Sequence, residues 1–482
     1  MPQPERYRRR LCVCWENTAD VRSLRSALQF WASSQWPTTN LAFVEAVLLF
    51  VLGVVIFVIG LGVSIGLHEL GHLSFAKLFG VKVTQYMIGF GKTLFSFRRG
   101  ETEYGVKALP LGGYISMIGM FPPKHPGEHG RNASTGFYNQ VVQDARTASA
   151  DTVADGEEDR TFYRLSPWKR IIIMFAGPFM NLVIAFVLLA VIVTGIGVQV
   201  NNVAEVSKCI PSSPSVTSCA ANAPQSPAAA AGFKPGDIIQ SIDGKQMAGW
   251  DESTAVFQKS AGKTLSVIVE NDGKQRTISV TPKATTRYVL DAEGKAVVKD
   301  GVKKTQTVGV VGLTPGVTLV HQPITAVMPA LGANIAAVAN IVIDLPQRMV
   351  AVWNAAFGPE QRAQDSPVGL VGVGRFAGDI ASNDTIPVIG KVQTMLSLLA
   401  SLNVALFVMN MIPLLPLDGG HIIGAIWEWI RRAFAKLFKR RDPGPVDMAK
   451  LMPITFVVII VLGGMSLLLA YADIVKPVNL LG

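Results

Sequence analysis

Residues 46–72 read AVLLFVLGVVIFVIGLGVSIGLHELGH. From Ala46 to Leu67 the run carries no charged side chain. As a helix it meets the roughly 20 apolar residues that a bilayer's hydrocarbon core demands. It ends in His68-Glu69-Leu70-Gly71-His72. On a helix, His68 and His72 lie one turn apart on one face and can grip a single zinc ion, with Glu69 beside them as a general base. A helix that merely carries two polar residues near the interface is the alternative. Ionisable residues at membrane depth are costly and usually functional, which favours the metal. The stretch therefore predicts a hydrolytic zinc site at one end of a membrane-crossing helix.

The rest of the chain fits a membrane protein. Only 16% of its 482 residues are charged and 49% are hydrophobic; the mean hydropathy is +0.36. The net charge of +10 does not imply nucleic acid, because much of the basic excess clusters beside apolar segments. Four spans are expected, at about 43–67 (its helical pattern running on toward Phe79), 171–198, 395–415 and 454–471. Lys77, Lys82, Lys92, Arg98, Arg99, Lys107, Lys169 and Arg170 lie between the first and second. Arg431, Arg432, Lys436, Lys439, Arg440 and Arg441 lie between the third and fourth. Both loops are expected in the cytoplasm, which puts about 200–390 outside and the zinc motif near the cytoplasmic face. Arg6, Arg8, Arg9, Arg10, Arg22 and Arg25 conflict with that orientation. Residues 1–42 are accordingly expected to be an extension, from a start assigned too far upstream.

Between the first two spans, residues 81–119 read as paired strands. They lead into Pro110-Leu111-Gly112-Gly113-Tyr114-Ile115, expected as a hairpin that dips toward the zinc site and offers an edge to an extended peptide. Residues 122–160 read as a flexible polar insertion, whose Pro126 and Gly127 argue against a second metal site at His125 and His129. Residues 200–283 read as a compact β-rich module, with turns at Asp243-Gly244 and Asn271-Asp272-Gly273. Residues 284–320 read as a further hairpin, and 322–357 either as amphipathic helices on the outer leaflet or as a packed soluble helical pair. Cys209 and Cys219 enclose a polar, proline-containing loop and are expected to pair in an oxidising compartment.

A catalytic zinc held by two histidines lacks one protein ligand. Asp418 is the candidate, because the prolines and glycines of Asn410-Met411-Ile412-Pro413-Leu414-Leu415-Pro416-Leu417-Asp418-Gly419-Gly420 break the third span and free it to point inward. Its other reading is a helix cap. His421 lies past that turn, in a supporting or structural position.

Together these pieces resemble the bacterial site-2 proteases, intramembrane zinc metalloproteases of the regulator-of-sigma-E type. The resemblance rests on His68-Glu69-Leu70-Gly71-His72, Gly112-Gly113-Tyr114, Phe175-Ala176-Gly177-Pro178 with Asn181, the stretch around Gly232–Asp237, and Asn410 through Gly420. It implies Zn²⁺ held by His68, His72 and Asp418, Glu69 as base, and Asn410 as a substrate or oxyanion contact. It implies a plasma-membrane α-helical bundle whose two protease halves, 43–199 and 391–482, flank a PDZ-like domain at 200–283 and an extracytoplasmic segment at 284–390. The implied substrate is a single-pass membrane protein, such as an anti-sigma factor, already cut outside by an upstream site-1 protease. A metal-ion transporter would use intramembrane His and Asp but predicts internal repeats and several broken helices. A membrane-anchored peptide-binding scaffold leaves Glu69 and Asp418 without a purpose.

Overall fold

The computed structural model describes residues 38–122, 137–211, 219, 223–247, 249–289, 296–299, 302–359 and 361–478. Residues 1–37 of the expected extension 1–42 and the pair His125 and His129 lie outside them; residues 38–42 begin the first helix. The uncharged run forms the core of α1 (Thr38–Leu78), which continues without a break through the H-E-x-x-H residues. It ends where Gly80 takes a left-handed turn (φ 83°) and the chain enters β1 (Val83–Arg99) and β2 (Thr102–Met117).

These two strands are long and bent. Tyr86 is paired with both Ile115 and Tyr104, and Ile88 with both Gly113 and Val106. Four lanes result, in the order 113–117, 83–88, 103–106, 95–99. Among the described residues the 113–117 lane is paired on one side only. Tyr86 Oη donates to the Gly66 carbonyl at 2.7 Å, which ties the curl to α1.

The described part of the insertion, from residue 137 on, is more ordered than its composition suggests. Residues 137–150 form a helix, α2 (Phe137–Ala150). It is anchored by Val142, which is buried, by Ser149 Oγ on the backbone of Phe121, and by an ion pair from Arg146 to Asp447. Few large apolar residues are needed where polar anchors do this work, so hydrophobicity alone missed the helix.

Next comes α3 (Pro167–Ala190), prolonged by a π-helical turn over Val191–Ile196. The β-rich region follows: β3 (Val198–Val206), α4 (Pro227–Ala231), β4 (Ile238–Ile242), β5 (Lys245–Gln246), α5 (Trp250–Lys259), β6 (Leu265–Asn271), β7 (Lys274–Val280), β8 (Lys283–Tyr288), β9 (Val298–Lys299), β10 (Val302–Lys303), β11 (Thr305–Val310) and β12 (Leu313–Val320). One sheet has the order β5-β4-β6-β7, and β8 pairs with β11. Strand pairing carries across residue 283, where the module was expected to end. β12 returns to pair with β3, and Val311 shares one core with Val203, Phe233, Phe257 and Val267. Cys209 and Cys219 form the expected disulfide, with Cα atoms 6.4 Å apart.

The chain continues through α6 (Val327–Ile343), α7 (Leu345–Phe357), α8 (Leu370–Ser382), α9 (Val388–Asn410), α10 (Asp418–Leu437) and α11 (Met452–Val475). Five helices among the described residues are long and apolar enough to cross a membrane: Phe43–Leu78, Pro167–Ile196, Ile324–Ile343, Val388–Asn410 and Met448–Val475. Four of them contain or overlap the expected stretches. The fifth occupies the segment read as interfacial, where Ile324 to Ile343 has no charged residue. The molecule is a multi-pass membrane protein combining apolar helices with β-rich regions.

Replacing Cys209 and Cys219 by Ser is expected to destabilise the β-rich region by up to about 3 kcal/mol, through loss of a short closed loop. Limited proteolysis of the full chain against denaturant reads this out. An unchanged midpoint would show the cross-link to be energetically silent.

Candidate metal and catalytic site

Three elements meet at the site. α1 supplies His68, Glu69 and His72; α3 packs against α1 and supports the rings; α10 begins at Asp418, which follows the Pro-containing turn over 411–417. A carboxylate in the first turn of a helix is favoured by the partial positive charge of that end.

The geometry is tight. The Nε2 atoms of His68 and His72 lie 3.2 Å apart, and each is 3.4 Å from Asp418 Oδ2. The two histidines are buried and Asp418 is half-buried. Ligand atoms at about 2.0–2.1 Å from one tetrahedral ion are separated by about 3.3 Å. The observed triangle has that size, so the residues fit zinc.

The far sides of the rings agree. His72 Nδ1 donates to the Ile173 carbonyl at 2.7 Å, which leaves the Nε2 lone pair facing the centre. His68 Nδ1 lies 3.1 Å from the side-chain amide of Asn181. Asn181 is fully buried, and among the described residues its Oδ1 has no partner. Turning the amide end for end lets Oδ1 accept from Nδ1–H, satisfies the orphan oxygen and frees the His68 Nε2 lone pair for a metal. A site that must hold a cation accounts for both observations.

Two glycines keep room for this arrangement. A Cβ on Gly177 would sit 2.1 Å from His72 Nε2, and one on Gly113 would sit 2.8 Å from the Glu69 side chain. Gly177 thus lets α3 approach the ring, and Gly113 lets the hairpin lie on the carboxylate.

Glu69 is buried and opens into a cavity of about 520 Å³ with His68, His72 and Asp418. Gly112, Gly113, Tyr114 and Ile115 form one wall, while Asn410 and His421 lie on the side of α9 and α10. All five residues singled out from the sequence, His68, Glu69, His72, Asn410 and Asp418, therefore line one space. The His421 ring meets the Phe162 ring edge-on. A larger cavity of about 640 Å³ lies between α5 and β11; among the described residues it has no comparable cluster of metal-binding groups.

The positioning contacts were not foreseen. Asn181 belonged to a quoted motif, and a buried intramembrane Asn is itself a signal, but the Ile173 carbonyl has none. An ion pair from Arg170 to fully buried Glu428 joins α3 to α10. Asn403 Nδ2 donates to Ser64 Oγ at 2.9 Å and joins α9 to α1 one turn before His68.

The family profile of peptidase family M50 matches residues 56–441. The chain is 32% identical over 449 residues to the zinc metalloprotease Rip1 of Mycobacterium tuberculosis H37Rv, across 91% of this chain and 99% of that protein. It is 28% identical over 382 residues to the metalloprotease MmpA of Caulobacter vibrioides, across 77% and 85%. It is 25% identical over 439 residues to the regulator of sigma-W protease RasP of Bacillus subtilis, across 81% and 91%.

Replacing Asn181 by Leu is expected to weaken zinc binding by about 10–100-fold, because the His68 ring loses the partner that orients it. Competition against a chelating dye measures this in the full chain. Unchanged affinity would remove Asn181 from the site.

Proposed function

This chain belongs to peptidase family M50, and from that premise we propose that it is an intramembrane zinc endopeptidase of the site-2 type, cutting single-pass membrane proteins that have already lost their outer domains. The observation that carries the proposal is the meeting of His68, His72 and Asp418 in one buried triangle, with Glu69 beside it in a cavity walled by a strand edge.

His68, His72 and Asp418 would hold the zinc. When bound, the ion supplies Lewis acidity that makes a nearby water easier to deprotonate and polarises a carbonyl. Glu69 takes the water proton and delivers it to the leaving amide nitrogen. Asn410 donates a hydrogen bond to the substrate carbonyl. A helical substrate hides its carbonyls in its own hydrogen bonds and must unwind to be cut. The 113–117 lane, paired on one side only, supplies backbone groups that can hold it extended. The Gly112-Gly113 step keeps that lane close to Glu69.

Basic residues flanking the spans support a cytoplasmic position for the zinc end of α1 and an extracytoplasmic position for the β-rich region. The return of β12 to β3 and the core they share with the four-stranded sheet support a single PDZ-like unit over about 200–320, admitting trimmed substrates and excluding bulky ones. The name of RasP ties that relative to control of a sigma factor, which supports an anti-sigma factor as substrate here and a preceding site-1 cut. Neither a transporter nor a peptide-binding scaffold gives Glu69 a role.

Glu69→Gln is expected to abolish cleavage of a tethered membrane reporter, by at least about 100-fold, while bound zinc stays near wild type. Full activity in this variant would refute the proposed chemistry. Loss of zinc together with activity would make Glu69 a ligand instead.

A further inference from the structure

Helix α10 has two unlike faces. The inner face is packed: Gly424 and Ala425 are buried and Glu428 is fully buried. The other face carries Ile423, Trp427, Phe434 and Leu437, with Phe438 just beyond the helix end, all between 47% and 73% exposed. At 3.6 residues per turn these positions form a single stripe, and the rings of Phe434 and Phe438 stack with centroids 6.3 Å apart. A soluble helix would carry polar side chains there.

The surroundings fix the level of this stripe. Glu428 pairs with Arg170, near the start of α3, and accepts from the Val446 amide at 2.8 Å, just before the residues that lead into α11. Its turn is therefore level with the first turns of two membrane-crossing helices. Residues 429–441 continue past those starts, into the zone where lipid headgroups lie. Over that stretch there are six basic residues and no acidic one. Arg432 is engaged by Glu428 and Asp442 and Arg431 by the Pro443 carbonyl. Lys436, Lys439, Arg440 and Arg441 are exposed.

We infer that Trp427–Arg441 is a membrane-surface anchor for anionic phospholipids, with the aromatic stripe sunk among acyl chains and Lys436, Lys439, Arg440 and Arg441 on headgroup phosphates. An apolar face flanked by Lys and Arg is the pattern of a helix lying in the interface, and juxtamembrane cations are drawn to anionic lipid. The same helix begins at Asp418, so the lipid contact fixes the element that brings this carboxylate to the two histidines.

The test uses the full chain in nanodiscs of phosphatidylcholine alone and of phosphatidylcholine mixed with phosphatidylglycerol. Hydrogen exchange of residues 429–441 and phosphatidylglycerol retention in native mass spectrometry are the readouts, and neither depends on proteolysis. Phosphatidylglycerol is expected to slow exchange in this segment and to be retained. Replacing Lys436, Lys439, Arg440 and Arg441 by Gln should remove both effects, since each cation at an anionic surface contributes about fivefold in affinity. These side chains are exposed, so the variant is expected to fold, and unchanged exchange in α1 and α3 checks this. Lys436→Gln alone should give a graded loss. Equal exchange and retention in wild type and the fourfold variant would overturn the inference, as would a detergent-resistant dimer that buries the stripe.

Discussion

Two imidazoles and a carboxylate share a space in which three ligand atoms lie 3.2–3.4 Å apart. Taking charge or unpaired lone pairs out of water costs several kcal/mol per ion unless something compensates. A divalent cation would compensate all three at once, and the rest of the architecture holds these three side chains in place. α1 brings two of them on a single helical turn. The third arrives from a separate helix more than 340 residues later in the sequence, so α10 must be held firmly against α1 and α3.

That holding is polar as well as apolar. Leu73, Ile173, Met174 and Ile422 pack into one cluster beside these residues. Ile173 donates no side-chain chemistry, yet its carbonyl orients His72. The Arg170–Glu428 pair links α3 with α10, the Asn403–Ser64 bond links α9 with α1, and Tyr86 links the curled hairpin with α1. Breaking one member of a buried pair leaves its partner uncompensated, so such contacts enforce one arrangement. The hairpin is held over Glu69 by the same logic, because Gly113 has no Cβ to push the carboxylate aside.

Much of this was legible in the sequence. An uncharged run ending in H-E-x-x-H states both a span and a metal site, and periodicity places the two histidines on one face. Asp418 was readable because prolines and glycines interrupt an apolar stretch just before an acid. What could not be read depends on contacts distant in sequence. The four-lane curl arises from register shifts along β1 and β2, which no local pattern encodes. α2 is held by polar anchors rather than an apolar face, so it resembled a flexible insertion. The helical pattern of 322–357 runs through Asp344 and Arg348, and a span is separated from an interfacial pair only by where the helix stops, at Ile343. β12 pairs with β3 over more than 100 residues, so the β-rich region runs past the boundary set by local turns.

The central claim is that one zinc ion is held jointly by α1 and α10. Metal analysis of the purified full chain and of Asp418→Ala tests it most directly. The account predicts one zinc per wild-type chain and loss of that zinc in the variant, with α1 and α3 still protected from hydrogen exchange. A variant that keeps a full equivalent of zinc with wild-type affinity would contradict it.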